Sequence, residues 1–294
     1  MKNRILAEVI EKLEKVLGEG YQVDVTCQTK NNGVKKTGIS IREKCENVGV
    51  IFYLDEISKL SDKNVDQIVI EISHDYLACR SGSDLADIFT KKLSSFNDCK
   101  DMIFPRVVNK QRNAELLSRV PHEEYLDLAI YFVCEMHTKD GGVMSVKVGH
   151  SIFNHWGIKY RDMYKVAIKN MIEHDKFSFI SLSDTSLGED ITSNDTKYNC
   201  QLDMLNIQLT NGTNTARCIL NDVVIDRLSK LFGGSFILLP ACVDGLIATP
   251  ITDKINLDDL SEIVNDVNNS DVIKDEEILS DHAYIYNSEK GWSW

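Results

Sequence analysis

Several common chemistries have no residues to run on in this sequence. There is no Gly-x-x-x-x-Gly-Lys-Ser/Thr phosphate loop. Gly18-Glu19-Gly20 is too short for a dinucleotide fingerprint and follows a helical stretch, where that motif follows a strand. There is no His-Glu-x-x-His and no Gly-x-Ser-x-Gly elbow. No cofactor is expected. Only 4 prolines and 16 glycines in 294 residues exclude collagen-like and proline-rich spacer readings. The wholly apolar runs are short, as in Phe236-Ile237-Leu238-Leu239, against the roughly 20 residues of a membrane span. No membrane partner is expected.

Cysteine pairing is missing too. Cys27, Cys45, Cys79, Cys99, Cys134, Cys200, Cys218 and Cys242 are far apart in sequence, with no Cys-x-x-Cys among them. Free thiols in a reducing compartment explain this spacing better than a disulfide framework. The basic start Met1-Lys2-Asn3-Arg4 is followed by Glu8, Glu11 and Lys12, which break any signal-peptide apolar core. A cytoplasmic location is the expectation.

What the chain does have is acid. Asp plus Glu number 45 against 33 Lys plus Arg, a net charge of -12. Such a surface repels phosphate backbones, so direct nucleic-acid binding is disfavoured. The acid is concentrated. Residues 253–281 hold ten acids and two lysines, a net of -8. The helical pattern over 257–267 predicts that Leu257, Leu260, Ile263, Val264 and Val267 are buried. Asp258, Asp259, Glu262 and Asp266 then point outward. The plain reading is a solvated face. The sharper one is a binding face for a basic partner, with imitation of nucleic-acid phosphate as a special case. Trp292 and Trp294, in a polar tail, either dock back on the body or meet a partner.

The hydrophobic pattern alternates between helical and strand periods. Ile5, Leu6, Val9, Ile10, Leu13, Val16 and Leu17 predict a first helix, stopped by Gly18. A hairpin turning at Lys30-Asn31-Asn32-Gly33 and a strand over 49–54 follow. Helical stripes run through Val65–Tyr76 and Leu85–Phe96. Polar Asn97–Asp101 marks a boundary between two lobes, 1–97 and 98–294. Beyond it, Tyr125–Met136 is the strongest strand. Leu126, Leu128, Ile130, Phe132 and Cys134 are on one face, and Ala129, Tyr131 and Val133 on the other. A strand apolar on both faces is interior to a covered sheet. Helices over 159–174 and 222–232 and strands over 177–182, 202–209, 236–239 and 245–249 complete the pattern. The polar stretch 183–201 is a long loop. Neighbouring strands joined by hairpins give an α+β class, mostly antiparallel sheets with helices packed on them.

One cluster carries possible chemistry. A hairpin of 126–148 turning near Asp140 pairs residues whose numbers sum to about 280. It sets His150 opposite Ile130 and gathers His122, Glu123, Asp127, His150 and His155 at its open end. His122 with Asp127 would make a base and its orienting carboxylate, as in a hydrolase. His150 and His155 would make part of a metal site. The simpler reading makes Asp127 a hydrogen-bond acceptor for the loop around Pro121. On that reading no residue is catalytic, no metal is held, and the chain is a non-catalytic protein whose partner is another protein.

A longer set of residues stands in one order: Lys30-Asn31-Asn32-Gly33, Tyr53-Leu54, Pro105-Arg106-Val107-Val108-Asn109, Asn113, Val120-Pro121-His122, Tyr125-Leu126-Asp127-Leu128-Ala129, Trp156-Gly157, Leu239-Pro240, and Leu279-Ser280-Asp281 with Tyr284 and Tyr286. This order resembles an uncharacterised bacterial family, a domain of unknown function common in anaerobic gut Gram-positive bacteria. The resemblance spans nearly the whole chain. It implies a bacterial, cytoplasmic context and no particular activity.

Overall fold

The computed structural model describes residues 2–45, 49–54, 64–79, 83–137, 143–182, 204–210, 213–252, 256–270 and 272–294. The 183–201 stretch and the Lys139–Gly142 turn lie outside the described residues. The fold is α+β and, among the described residues, has three antiparallel sheets of three, four and six strands. The chain divides into two units, 1–30 with 34–92, and 31–33 with 93–294. The border falls between Lys92 and Leu93, ahead of the 97/98 position that composition suggests. Leu93–Cys99 already serve the second unit. The Leu93 carbonyl accepts from Trp156 Nε1 at 2.9 Å, and the Phe96 ring packs on Trp156.

In the first unit α1 (Lys2–Leu17) precedes β1 (Tyr21–Thr29), β2 (Lys35–Glu43) and β3 (Val50–Tyr53). The helices α2 (Val65–Cys79) and α3 (Ser83–Lys92) follow. β1 pairs with β2 from Tyr21↔Glu43 to Thr29↔Lys35, and β3 joins β2 at Gly38↔Tyr53. Alternation places Val23, Ile39 and Ile41 on one face, where they meet Val9 and Leu13 of α1 and Ile68, Val69, Ile72 and Tyr76 of α2. Gly38 allows the close approach of β3, since a Cβ there would lie 2.7 Å from the Phe52 carbonyl oxygen.

The second unit opens with α4 (Phe96–Cys99), β4 (Ile103–Asn109) and α5 (Ala114–Leu117). β5 (His122–Tyr125), β6 (Leu128–His137) and β7 (Val143–Lys147) follow. After α6 (His150–Trp156) and α7 (Tyr160–His174) come β8 (Phe177–Ser181) and β9 (Leu205–Leu209). α8 (Asp222–Leu231), β10 (Ser235–Cys242), β11 (Gly245–Pro250), α9 (Leu257–Asn268), β12 (Tyr284–Asn287) and β13 (Gly291–Ser293) complete the unit. The six-stranded sheet runs β13-β12-β10-β11-β9-β8. In the four-stranded sheet β6 pairs with β4, β5 and β7.

β6 is buried on both faces. Ile130, Phe132 and Cys134 face α7, whose Tyr160 and Tyr164 rings pack edge-on against Phe132. The opposite face meets the 3-10 segment Thr215–Leu220. The register of β6 with β7 follows the expected sum, as at Cys134↔Val146. However, Tyr125–Met136 is not one strand. Tyr125↔Leu128 closes a tight hairpin, and Leu126 and Asp127 form its two-residue loop. Leu126 is half-buried at the loop with φ +58°, not on the core face of β6. The first position of such a loop needs positive φ, which normally calls for glycine or asparagine.

This backbone costs an L-residue about 1–2 kcal/mol, and a β-branched side chain tolerates it worst. Leu126→Gly should therefore be more stable than Leu126→Ile by about 1–2 kcal/mol in urea unfolding. An isoleucine variant as stable as the parent would show that the turn does not hold this conformation.

Candidate functional site

The hairpin that holds Asp127 also keeps the candidate catalytic residues apart. His122 is exposed at the far end of β5, roughly 10 Å along the strand from the turn. Its Nδ1 lies 3.0 Å from the Val120 carbonyl oxygen. His150 does not sit opposite Ile130. β5 already occupies that edge of β6, pairing Glu123 with Ile130, so β7 stops at Lys147 and the chain turns away. His150 begins α6, where its backbone N–H donates to the Arg119 carbonyl. His155 is exposed, with Nε2 3.1 Å from the Ser94 carbonyl oxygen. Among the described residues no group of three or more His, Cys, Asp or Glu side chains is placed to hold a metal ion.

Asp127 is committed elsewhere. Its Oδ1 accepts from the Tyr284 hydroxyl at 2.6 Å and its Oδ2 from the Ser280 hydroxyl at 2.7 Å. These donors, not the backbone around Pro121, are its side-chain partners. Burial and the neighbouring Asp127 charge both push the Tyr284 phenol well above its usual pKa. Next to this pair the Asp281 carboxylate receives the Arg112 guanidinium at 3.1 Å on both oxygens and the Asn268 amide at 2.8 Å. Burial pushes the Asp281 carboxyl up, but Asn268 and Arg112 outweigh it and hold it below its ordinary value. Asn109 donates to the Leu279 carbonyl, Asn113 to Asn32, and Asn32 to the Asp275 and Ile278 carbonyls. Several polar residues through which the sequence shows its family resemblance, Asn32, Asn109, Asn113, Asp127, Ser280, Asp281 and Tyr284, thus converge on one knot around 275–284. Its contacts are hydrogen bonds and an ion pair, some between side chains and some, as at the Asp275, Ile278 and Leu279 carbonyls, to backbone.

A second polar group is largely internal. Arg217 is only 2 % exposed. It donates Nε and Nη2 to the two Asp175 oxygens at 2.6 Å each, and Nη1 to Glu135 at 3.1 Å. Arg106 reaches the same Glu135 at 2.6 Å, and the Arg217 guanidinium lies 4.9 Å from the Phe104 ring centroid. Two cations and two anions cancel. Burial still raises the Asp175 carboxyl against the pull of Arg217, and lowers the Arg106 guanidinium despite Glu135 beside it.

The acidic helix α9 is pinned by Leu260, Val264 and Asn268, with an Asn256 N-cap accepting from the Asp258 N–H. Asp258, Asp259, Glu262 and Asp266 are exposed. Ile263 and Val267 do not join the core. They are 55 % and 38 % exposed. At 100° per residue the buried row 260/264/268 leaves 259/263/267 on the outer flank. Trp292 docks back. β13 pairs it with Tyr286, and its ring packs on Phe236 at 5.9 Å and Tyr286 at 5.1 Å. Trp294 stays 54 % exposed, 4.9 Å from the His282 ring.

The sequence profile of a family of unknown function, DUF5688, matches residues 3–288. The chain belongs to this family. No curated protein and no solved structure matches it. No described helix is long and apolar enough to cross a membrane.

In this DUF5688 chain the Arg106–Glu135–Arg217–Asp175 group escapes a motif search, because it has no motif spacing. It does leave a signal. Glu135 is a charge on a face otherwise made of Ala129, Tyr131 and Val133, and Arg217 stands among Ala216, Cys218, Ile219 and Leu220. A charge in either place needs a buried counter-charge.

Two outcomes follow from these placements. Asp127→Ala should lower stability by about 1–3 kcal/mol by leaving the Ser280 and Tyr284 hydroxyls unpaired. Arg217→Met should cost about 3–5 kcal/mol, because it strands Asp175 inside the fold and leaves Glu135 to Arg106 alone. Equilibrium unfolding in urea measures both. An Arg217→Met midpoint equal to the parent's would mean that the buried charges are not coupled.

Proposed function

We propose that the chain works without catalysis, by binding another protein through the outer face of α9. The observation that carries this reading is the exposure of Ile263 and Val267 beside the acids. Asp258, Glu262 and Asp266 form one row at four-residue spacing, and Asp259, Ile263 and Val267 form the next. Exposed aliphatic side chains occur elsewhere on the chain, but here they adjoin a row of acids, and an interface can use both kinds of group. The acids attract a basic surface at long range and fix its orientation. The aliphatic row then loses water on contact, at about 25 cal/mol per Å² of apolar surface buried. The net charge of -12 strengthens the attraction for basic partners and opposes nucleic acid. Trp294 is a candidate addition to this face, because the backbone N–H of Ala283, next to its ring partner His282, donates to Ser261 of α9. The fitting partner is a protein surface with lysine or arginine beside aliphatic side chains, met in the cytoplasm.

A synthetic helical peptide with one lysine row beside one leucine row serves as probe. Its association rate with the full chain should fall steeply as salt shortens the screening length from about 10 Å at 0.1 M towards about 3 Å at 1 M. Asp258→Asn, Asp259→Asn and Glu262→Gln together should weaken binding at least about tenfold, roughly 1.4 kcal/mol. Thermal stability should be unchanged or higher. Amides at Glu8, Glu11 and Glu14 on α1 change net charge equally and should leave binding near the parent's. Equal losses in the two variants would reduce the effect to net charge and overturn the reading.

A further inference from the structure

Resting on that reading of α9, we infer that the basic partner surface is α7 of a second copy of this chain. α7 buries Met163, Ala167, Asn170 and Met171 and leaves an exposed row and a half-buried row at the surface, the latter including Tyr164, which also packs on Phe132. Tyr164, Ile168 and Ile172 form an apolar row, with Ile172 41 % exposed. Arg161, Lys165 and Lys169 form the adjoining basic row, all three exposed. Between the rows runs a surface groove of about 360 Å³, lined by Tyr164, Lys165, Ile168, Lys169, Ile172 and Glu173. Glu173 pairs with Lys169 at 3.6 Å along the helix, an exposed contact that an incoming carboxylate can replace.

The two faces match in order as well as in kind. Seen from outside with the N-terminus down, successive residues of a right-handed helix move to the right. On α7 the apolar row therefore lies to the left of the basic row. On α9 the acidic row lies to the left of the row with Ile263 and Val267. Setting the helices face to face reverses one of them. With both chains running the same way, acid meets base and aliphatic meets aliphatic at once. Run antiparallel, the acidic row meets Tyr164, Ile168 and Ile172 instead. The match thus specifies a parallel crossing about three turns long, since α9 has 12 residues and α7 has 15. Each helix is pinned by the row it buries, α7 over β6 and α9 over β10, so the contact forms between copies. The contact joins unlike surfaces. Made reciprocally, two such contacts close a dimer, and made singly they extend a chain of copies. One helix pair buries less than the roughly 1,000 Å² of a standard interface, which places the association in the weak, concentration-dependent range.

Sedimentation equilibrium of the full chain, from about 10 μM to about 1 mM protein at low and high salt, tests this. The mean mass should rise above the monomer with concentration at low salt and fall back at high salt. Lys165→Glu with Lys169→Glu, and separately Glu262→Lys with Asp266→Lys, should each weaken association at least tenfold. Circular dichroism and the unfolding midpoint should stay at the parent's values, since all four side chains are exposed. Mixing the two variants in equal amounts should restore association, because the reversed α7 of one then faces the reversed α9 of the other. A parent that stays monomeric yet binds the lysine–leucine peptide through α9 overturns the second-copy inference and leaves the binding reading standing. A monomer that also ignores the peptide defeats both. Self-association indifferent to both charge reversals, or not restored by mixing, overturns the α7–α9 contact.

Discussion

The second unit depends on one buried cation. Arg217 sits in the apolar segment Thr215–Leu220, and its guanidinium reaches Asp175 just past α7 and Glu135 on β6. Desolvating a guanidinium costs several kcal/mol, and only well-placed carboxylates offset it. The segment therefore has few places to go, and it closes over the face of the four-stranded sheet that α7 leaves open. That closure is why β6 is buried on both sides. It also accounts for Arg106, which neutralises the second anion from β4.

The same economy governs the surface-proximal polar residues. Asp127, Ser280 and Tyr284, and beside them Arg112, Asn268 and Asp281, hold the chain between α9 and β12 against β4 and the β5–β6 turn. Both Asp127 oxygens are taken by hydroxyls, and the exposed His122 lies at the other end of β5, so the two do not meet as a base and its orienting carboxylate. These inward polar groups hold parts of the fold together. Among the outward helix faces, α9 has acid beside Ile263 and Val267, and α7 has base beside Ile168 and Ile172.

Much of this was legible in the sequence, and the exceptions have physical reasons. Period 3.6 in Val65–Tyr76 and period 2 in Val23–Cys27 report faces pressed on a core, so α2 and β1 could be read directly. The pairing sum near 280 survived because one buried face fixes strand register. Leu126 failed because leucine carries no turn signal. The apolar pattern ran through it as if the strand continued, and polar His122-Glu123-Glu124 hid a strand beside it. His150 failed because a strand edge accepts one partner, and β5 had taken it. Ile263 and Val267 failed because a wide apolar stripe does not say where the core ends. Arg217 left a composition signal without any spacing to search for.

On the proposal above, inward polar groups serve the fold and the α9 and α7 faces serve association. Backbone amide shifts of ¹⁵N-labelled protein, followed through a dilution series by transverse-relaxation-optimised NMR, test that division most directly. The predicted result is concentration-dependent shifts confined to Leu257–Asn268, Tyr160–His174 and their immediate neighbours, with His122–Asp127 and Thr215–Leu220 unmoved. Shifts centred on His122–Asp127, or a spectrum indifferent to concentration, would contradict it.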